Sequence, residues 1–107
     1  MINEIDSESL QERLARGDDL VLLDIRTPAE MAQGTIPGAM PMPMHLIPLR
    51  MGELPKDKDL VLYCRSGARS YQACAYLMQQ GLGRSLNLRG GIIAWARHGF
   101  PIDWPSQ

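Results

Sequence analysis

The sequence predicts an α/β protein built on a parallel sheet with helices on both faces. Two short runs carry that reading. LVLLDI (20–25) and LVLYC (60–64) are apolar at nearly every position and bounded by charged residues, as strands buried on both faces are. Segments with helical spacing and capping signals alternate with them, and such alternation builds parallel sheets through crossover helices.

Each element has its own signals. In SESLQERLARG (7–17), Leu10 and Leu14 fall at helical spacing, Asp6 or Ser7 is placed to cap, and Gly17 stops the helix. LVLLDI follows as the first buried strand. TPAEMAQG (27–34) is a short helix, with Thr27 as N-cap, Pro28 at the first helical position, Glu30 closing a capping box and Gly34 at the end. The proline- and methionine-rich stretch 35–55 permits a short strand near 39–42 and an irregular helical turn near 46–51. After a polar turn, LVLYC is the second buried strand and 70–80 a helix ended by Gly81. SLNL (85–88) is a further short strand. Gly90 and Gly91 lead into a last helix, IIAWAR, which Gly99 and Pro101 close.

Composition narrows the class. The 107 residues are expected to form one domain, 1–107, with a single real core, since a chain of this size buries roughly two-thirds of its unfolded surface. Net charge is −1 with no basic block, so neither nucleic acid nor an anionic membrane is an expected partner. MINEIDSESL lacks the basic and apolar regions of a signal peptide, and no stretch approaches the ~18 apolar residues of a membrane span. Two cysteines cannot form a disulfide scaffold. A cytoplasmic protein is the expectation.

The chemistry concentrates in DLVLYCRSGARS (59–70). Ligand sites in parallel sheets lie beyond the carboxyl ends of the strands. Cys64 ends one predicted strand there, and Asp24 and Arg26 sit at the same end of the other. A thiolate is the reactive form of cysteine, and its pKa falls near positive charge or at a helix N-terminus. Both conditions are met. The loop Cys64-Arg65-Ser66-Gly67-Ala68-Arg69 runs directly into the helix that begins at Ser70, whose unpaired N–H groups can face the sulfur. Gly67 permits a tight turn that brings its own N–H into the cradle, and Arg65 and Arg69 add full charges. Cys64 is the candidate nucleophile; Arg65, Ser66, Gly67, Ala68, Arg69 and Ser70 form the candidate substrate-binding loop. A buried, inert cysteine is the alternative, and this context disfavours it.

Three segments in order resemble the motifs of the rhodanese-like sulfurtransferases in their single-domain form: LLDIRTPAEMAQGTIPGA, CRSGARS and LRGGIIAWARHGFPI. The resemblance spans nearly the whole chain. It implies a five-stranded parallel sheet flanked by helices, and transfer of a sulfane sulfur from thiosulfate or a similar donor through a Cys64 persulfide. The acceptor would be cyanide in the usual assay and thiols otherwise; protein sulfur carriers are further candidate partners. No cofactor is implied. Arg65 would attract the anionic donor, while Arg69 would fix the shape and field of the loop. Thr35 departs from a histidine common in the family, at a position that reads as structural.

Three other readings compete. A phosphatase or arsenate reductase would use C-x5-R, whereas Cys64 to Arg69 spans six residues and Ser70 holds the seventh position. A persulfide carrier between protein partners keeps the same chemistry with different donors. A non-catalytic interaction module usually lacks the cysteine or the arginines present here.

Elsewhere the expectations are structural. Cys74 reads as core filling rather than a resolving thiol, and Trp95 as core beside Ile92. Arg26 and Glu30 are expected to pair across the start of the short helix, with Asp24 anchoring backbone. His45 and His98 lack metal-ligand spacing with the cysteines, so no metal is expected. The methionines of MPMPMHLIP fit either core or a pliable apolar wall beside the pocket, and the sequence favours neither reading.

Overall fold

The two apolar runs become β2 (Leu20–Asp24) and β4 (Asp59–Tyr63), adjacent parallel strands in the computed structural model, which describes residues 1–105. Their register sets Leu22 beside Val61 and Leu23 beside Leu62. Period-two alternation sends these pairs to opposite faces, which explains why almost every residue in both runs is apolar. On one face Leu23, Leu60 and Leu62 join Ala73, Cys74 and Leu77; on the other, Leu22, Val61 and Tyr63 join Leu10 and Trp95.

Three shorter strands complete the sheet: β1 (Asn3–Ile5), β3 (Met40–Pro41) and β5 (Ser85–Leu88). The spatial order is β1-β5-β4-β2-β3 and every pairing is parallel. The parallel sheet with helices on both faces is as the sequence predicts, and its count of five strands is as the family resemblance implied. Helices α3 (Ile47–Arg50) and α4 (Ala68–Gln79) supply the first core face; α1 (Ser7–Ala15) and α5 (Gly91–Arg97) supply the second. Asp6 caps α1 by accepting from the Ser9 N–H at 2.8 Å. Thr27 and Glu30 form the full capping box of α2 (Pro28–Met31). No helix of the described residues is long and apolar enough to cross a membrane.

Three differences from the sequence reading follow from tertiary contacts. Strand β1 was not predicted: Asn3 and Glu4 are exposed, and a three-residue edge strand pairing with β5 alone leaves no periodic pattern. Helix α4 begins at Ala68, two residues earlier than expected, and Cys64 lies just past β4 instead of closing it. Residues 64–67 alone therefore turn the chain from strand to helix. The methionines divide: Met42 is fully buried, while Met40 is exposed at the sheet edge.

Candidate active site

Cys64 is held on both sides by backbone. The Tyr63 carbonyl accepts from Ile25 N–H at 3.1 Å, and the Cys64 carbonyl accepts from Ile92 N–H at 3.0 Å. Ile93 N–H reaches the Arg65 carbonyl at 3.2 Å, so the start of α5 is seated on the loop. Gly91 makes that approach possible. A β-carbon there would lie 2.4 Å from the Arg65 carbonyl oxygen and 2.6 Å from that of Cys64.

The sulfur sits in a cradle of donors. Gly67 adopts φ 102°, a left-handed conformation natural to glycine, and turns its N–H to Sγ at 3.1 Å. From the first turn of α4, the Ser70 N–H approaches at 3.5 Å and its hydroxyl at 3.4 Å. Burial pushes the Cys64 thiol up, but hydrogen bonds from the Ser70 hydroxyl and from the Ser70, Gly67 and Ser66 amides outweigh it and hold the thiol below its ordinary value. Ser66 and Ala68 themselves are exposed at the rim.

The two loop arginines occupy different environments. Arg69 is clasped by Glu30 through two bonds of 2.7 and 2.8 Å, and this pairing, chiefly the hydrogen bond from Arg69, lowers the Glu30 carboxyl to about 2. Arg65 is exposed and forms no ion pair among the described residues. It borders a cleft of about 260 Å³ walled by Ile92, Ile93, Ile102 and Trp104, with Arg26 and Glu30 also lining it.

The expected Arg26–Glu30 ion pair is not formed. Arg26 pairs with Asp24 at 2.6 Å in a buried contact and donates to the carbonyls of Glu30 and Gly34, at 3.2 and 2.7 Å. The Glu30 carboxylate is engaged by Thr27 and Arg69. A β2 residue facing the sheet edge reaches Arg26 before a helix side chain can, because Asp24 is only two residues away on the same rigid turn. Asp24 does anchor backbone, accepting from Arg26 N–H at 3.0 Å, and also receives the Tyr63 hydroxyl at 2.8 Å.

Asn87 and Glu4 enter the site unannounced by the sequence reading. Asn87, buried on β5, accepts from the Ser70 hydroxyl at 2.5 Å and donates to the Gly67 carbonyl at 3.2 Å and to Glu4 at 2.9 Å. Its one signal was an amide side chain inside the short predicted strand SLNL. Cys74 is fully buried, and burial pushes its thiol up to about 12, consistent with core filling. Trp95 is likewise buried. Among the described residues, no group of three or more His, Cys, Asp or Glu side chains is placed to hold a metal.

The cysteine loop lies between the central strand β4 and helix α4, with its sulfur facing backbone amides. The sequence profile described as Rhodanese-like domain matches residues 6–98. The chain belongs to the rhodanese-like family. It is 75% identical over 106 residues to a sulfurtransferase of Allochromatium vinosum, covering 99% of each chain. It is 43% identical over 94 residues to the putative sulfurtransferase YtwF of Bacillus subtilis, covering 88% of this chain and 90% of that one. The crystal structure of a rhodanese-like domain protein from Staphylococcus aureus superposes with a TM-score of 0.88 at 30% identity, covering 98% of this chain and 100% of the other. The kinship is thus with named sulfurtransferases by sequence and with rhodanese-like domains by fold.

Proposed function

We propose that this rhodanese-like domain, one unit over residues 1–107, transfers sulfane sulfur through Cys64. The observation that supports the reading best is the donor set around Sγ: two amides and one hydroxyl within 3.5 Å, on a thiol whose pKa is lowered. The Cys64 thiolate attacks the outer sulfur of thiosulfate or a similar donor, forming a Cys64–S–S⁻ persulfide as sulfite leaves with the electron pair of the cleaved S–S bond. An acceptor thiolate (cyanide in an assay) then attacks the terminal sulfur, takes it, and returns Cys64 as thiolate. The two half-reactions need no external oxidant or reductant. In the first, Arg65, which pairs with no carboxylate among the described residues, draws the anionic donor to the mouth, and the loop amides hold the negative outer sulfur. In the second, the apolar cleft beside Arg65 gives a thiol acceptor, free or carried on a protein, a wall to approach along. The two unpaired cysteines suit a reducing, cytoplasmic setting.

Phosphate chemistry is the weaker reading for a physical reason. An arginine that grips an oxyanion needs its guanidinium fork open, and Glu30 already fills that of Arg69. Intact-mass measurement after incubation with thiosulfate tests the proposal. One added sulfur is expected, removed by cyanide or a thiol and absent in Cys64→Ser. Uptake that persists in Cys64→Ser would overturn it.

A further inference from the structure

The Ser70 hydroxyl has one proton and two neighbours able to accept it: Cys64 Sγ at 3.4 Å and Asn87 Oδ1 at 2.5 Å. The Asn87 amide cannot be reversed to resolve this. Its nitrogen donates to the Gly67 carbonyl and the Glu4 carboxylate, and a flip would set oxygen against both acceptors. No other donor reaches Asn87 Oδ1 among the described residues. We propose that Asn87 is a positioning residue that competes with Cys64 for the Ser70 proton, keeping it while the sulfur is neutral and yielding it when the sulfur is an anion.

The swing has a direct consequence. With a neutral thiol, Ser70 donates to Asn87 and its oxygen faces Sγ as an acceptor. Ionisation turns the hydroxyl to the sulfur, leaving the buried Asn87 carbonyl without a donor, and a buried acceptor without a partner is costly. Asn87 therefore opposes the resting thiolate while it orients both Ser70 and Gly67. On the sulfurtransfer reading above, persulfide formation moves the charge to the outer sulfur, and the hydroxyl swings back to Asn87. Sulfur capture is favoured accordingly.

The charged groups around the cradle are Asp24 and Arg26 from the end of β2, Glu30 from α2, Arg69 from α4, Arg65 from the loop, and Glu4 with Arg89 beside Asn87. All but Arg65 are paired with one another, which leaves the Ser70 hydroxyl as the donor with two competing acceptors. The test is the pH dependence of Cys64 alkylation by iodoacetamide in the full chain, in a cycle of Asn87→Leu, Ser70→Ala and the double variant. Asn87→Leu is expected to lower the Cys64 pKa by about half a unit to one unit, giving about three- to tenfold more thiolate below that pKa. In the Ser70→Ala background the same substitution is expected to lower it no further. An increase in the Ser70 background, no change there, or an equal decrease in both backgrounds would overturn the proposal. Should Asn87→Leu not fold, the side-chain carbonyl carbon of Asn87 can be followed by NMR through the Cys64 titration. It should move with Cys64 ionisation in the wild-type chain and much less in Ser70→Ala; equal movement in both, or none in the wild type, sinks the idea. Alkylation requires only the thiol, so this result stands apart from sulfur uptake, whose failure would overturn the transfer reaction alone.

Discussion

Replacing Gly91 by alanine tests how the active loop is held. Gly91 has φ 59°, and an added β-carbon would meet two backbone oxygens at 2.4 and 2.6 Å, those of Arg65 and Cys64. Neither can rotate away as a flexible side chain would. The start of α5 must lift, loosening the Ile92 and Ile93 hydrogen bonds to the loop, of 3.0 and 3.2 Å, and dragging buried Trp95 with it. Gly99 is the matched control: its φ is 75°, but a β-carbon there would meet nothing within 4 Å. Both substitutions incur the left-handed backbone penalty, about 1–2 kcal/mol. Only Gly91→Ala adds the steric displacement and two weakened hydrogen bonds, worth about 0.5–1.5 kcal/mol each. Gly91→Ala should thus cost about 3–5 kcal/mol and Gly99→Ala about 1–2. Urea unfolding measures both, and the rate of Cys64 alkylation should fall in Gly91→Ala alone. Equal destabilisation by the two, with Cys64 reactivity unchanged, would refute the view that α5 is seated on the loop through Gly91.

Two further outcomes are expected. Glu30→Gln should destabilise the fold by about 1 kcal/mol at neutral pH, a figure held down by the partial exposure of the Arg69 pair. Folding lowers the Glu30 pKa from 4.5 to about 2, so the stabilisation is present above the unfolded value and is lost as pH falls through the folded one. The stability gap between wild type and variant should close over that window in urea titrations, and a gap independent of pH would contradict the assignment. Iodoacetamide at mildly alkaline pH should add one adduct to the native chain and two in denaturant, because Cys74 is buried with its thiol raised to about 12. Two adducts on the native chain, read by mass, would place Cys74 within reach of solvent.

Local chemistry determined much of this protein. Apolar runs specify strands buried on both faces whatever their neighbours, and Thr27, Pro28 and Glu30 specify the start of α2 through contacts within four residues. The Cys64 loop was legible for the same reason: a thiol, a glycine and a helix start within one seven-residue segment already contain the cradle, since Gly67 and Ser70 lie three and six residues from the sulfur's own residue. What the tertiary structure decided involves partners far apart in sequence. Arg69 finds Glu30 across 39 residues, which engages one loop arginine and leaves Arg65 as the loop arginine without an ion pair among the described residues. Strand β1 exists only because β5 offers it an edge, and through that pairing Glu4 comes beside Asn87. No periodicity encodes such meetings. They depend on strand order, which the sequence constrains only through the sum of all packing contacts, and here that order sets β5 against the central strand and Asn87 against Ser70.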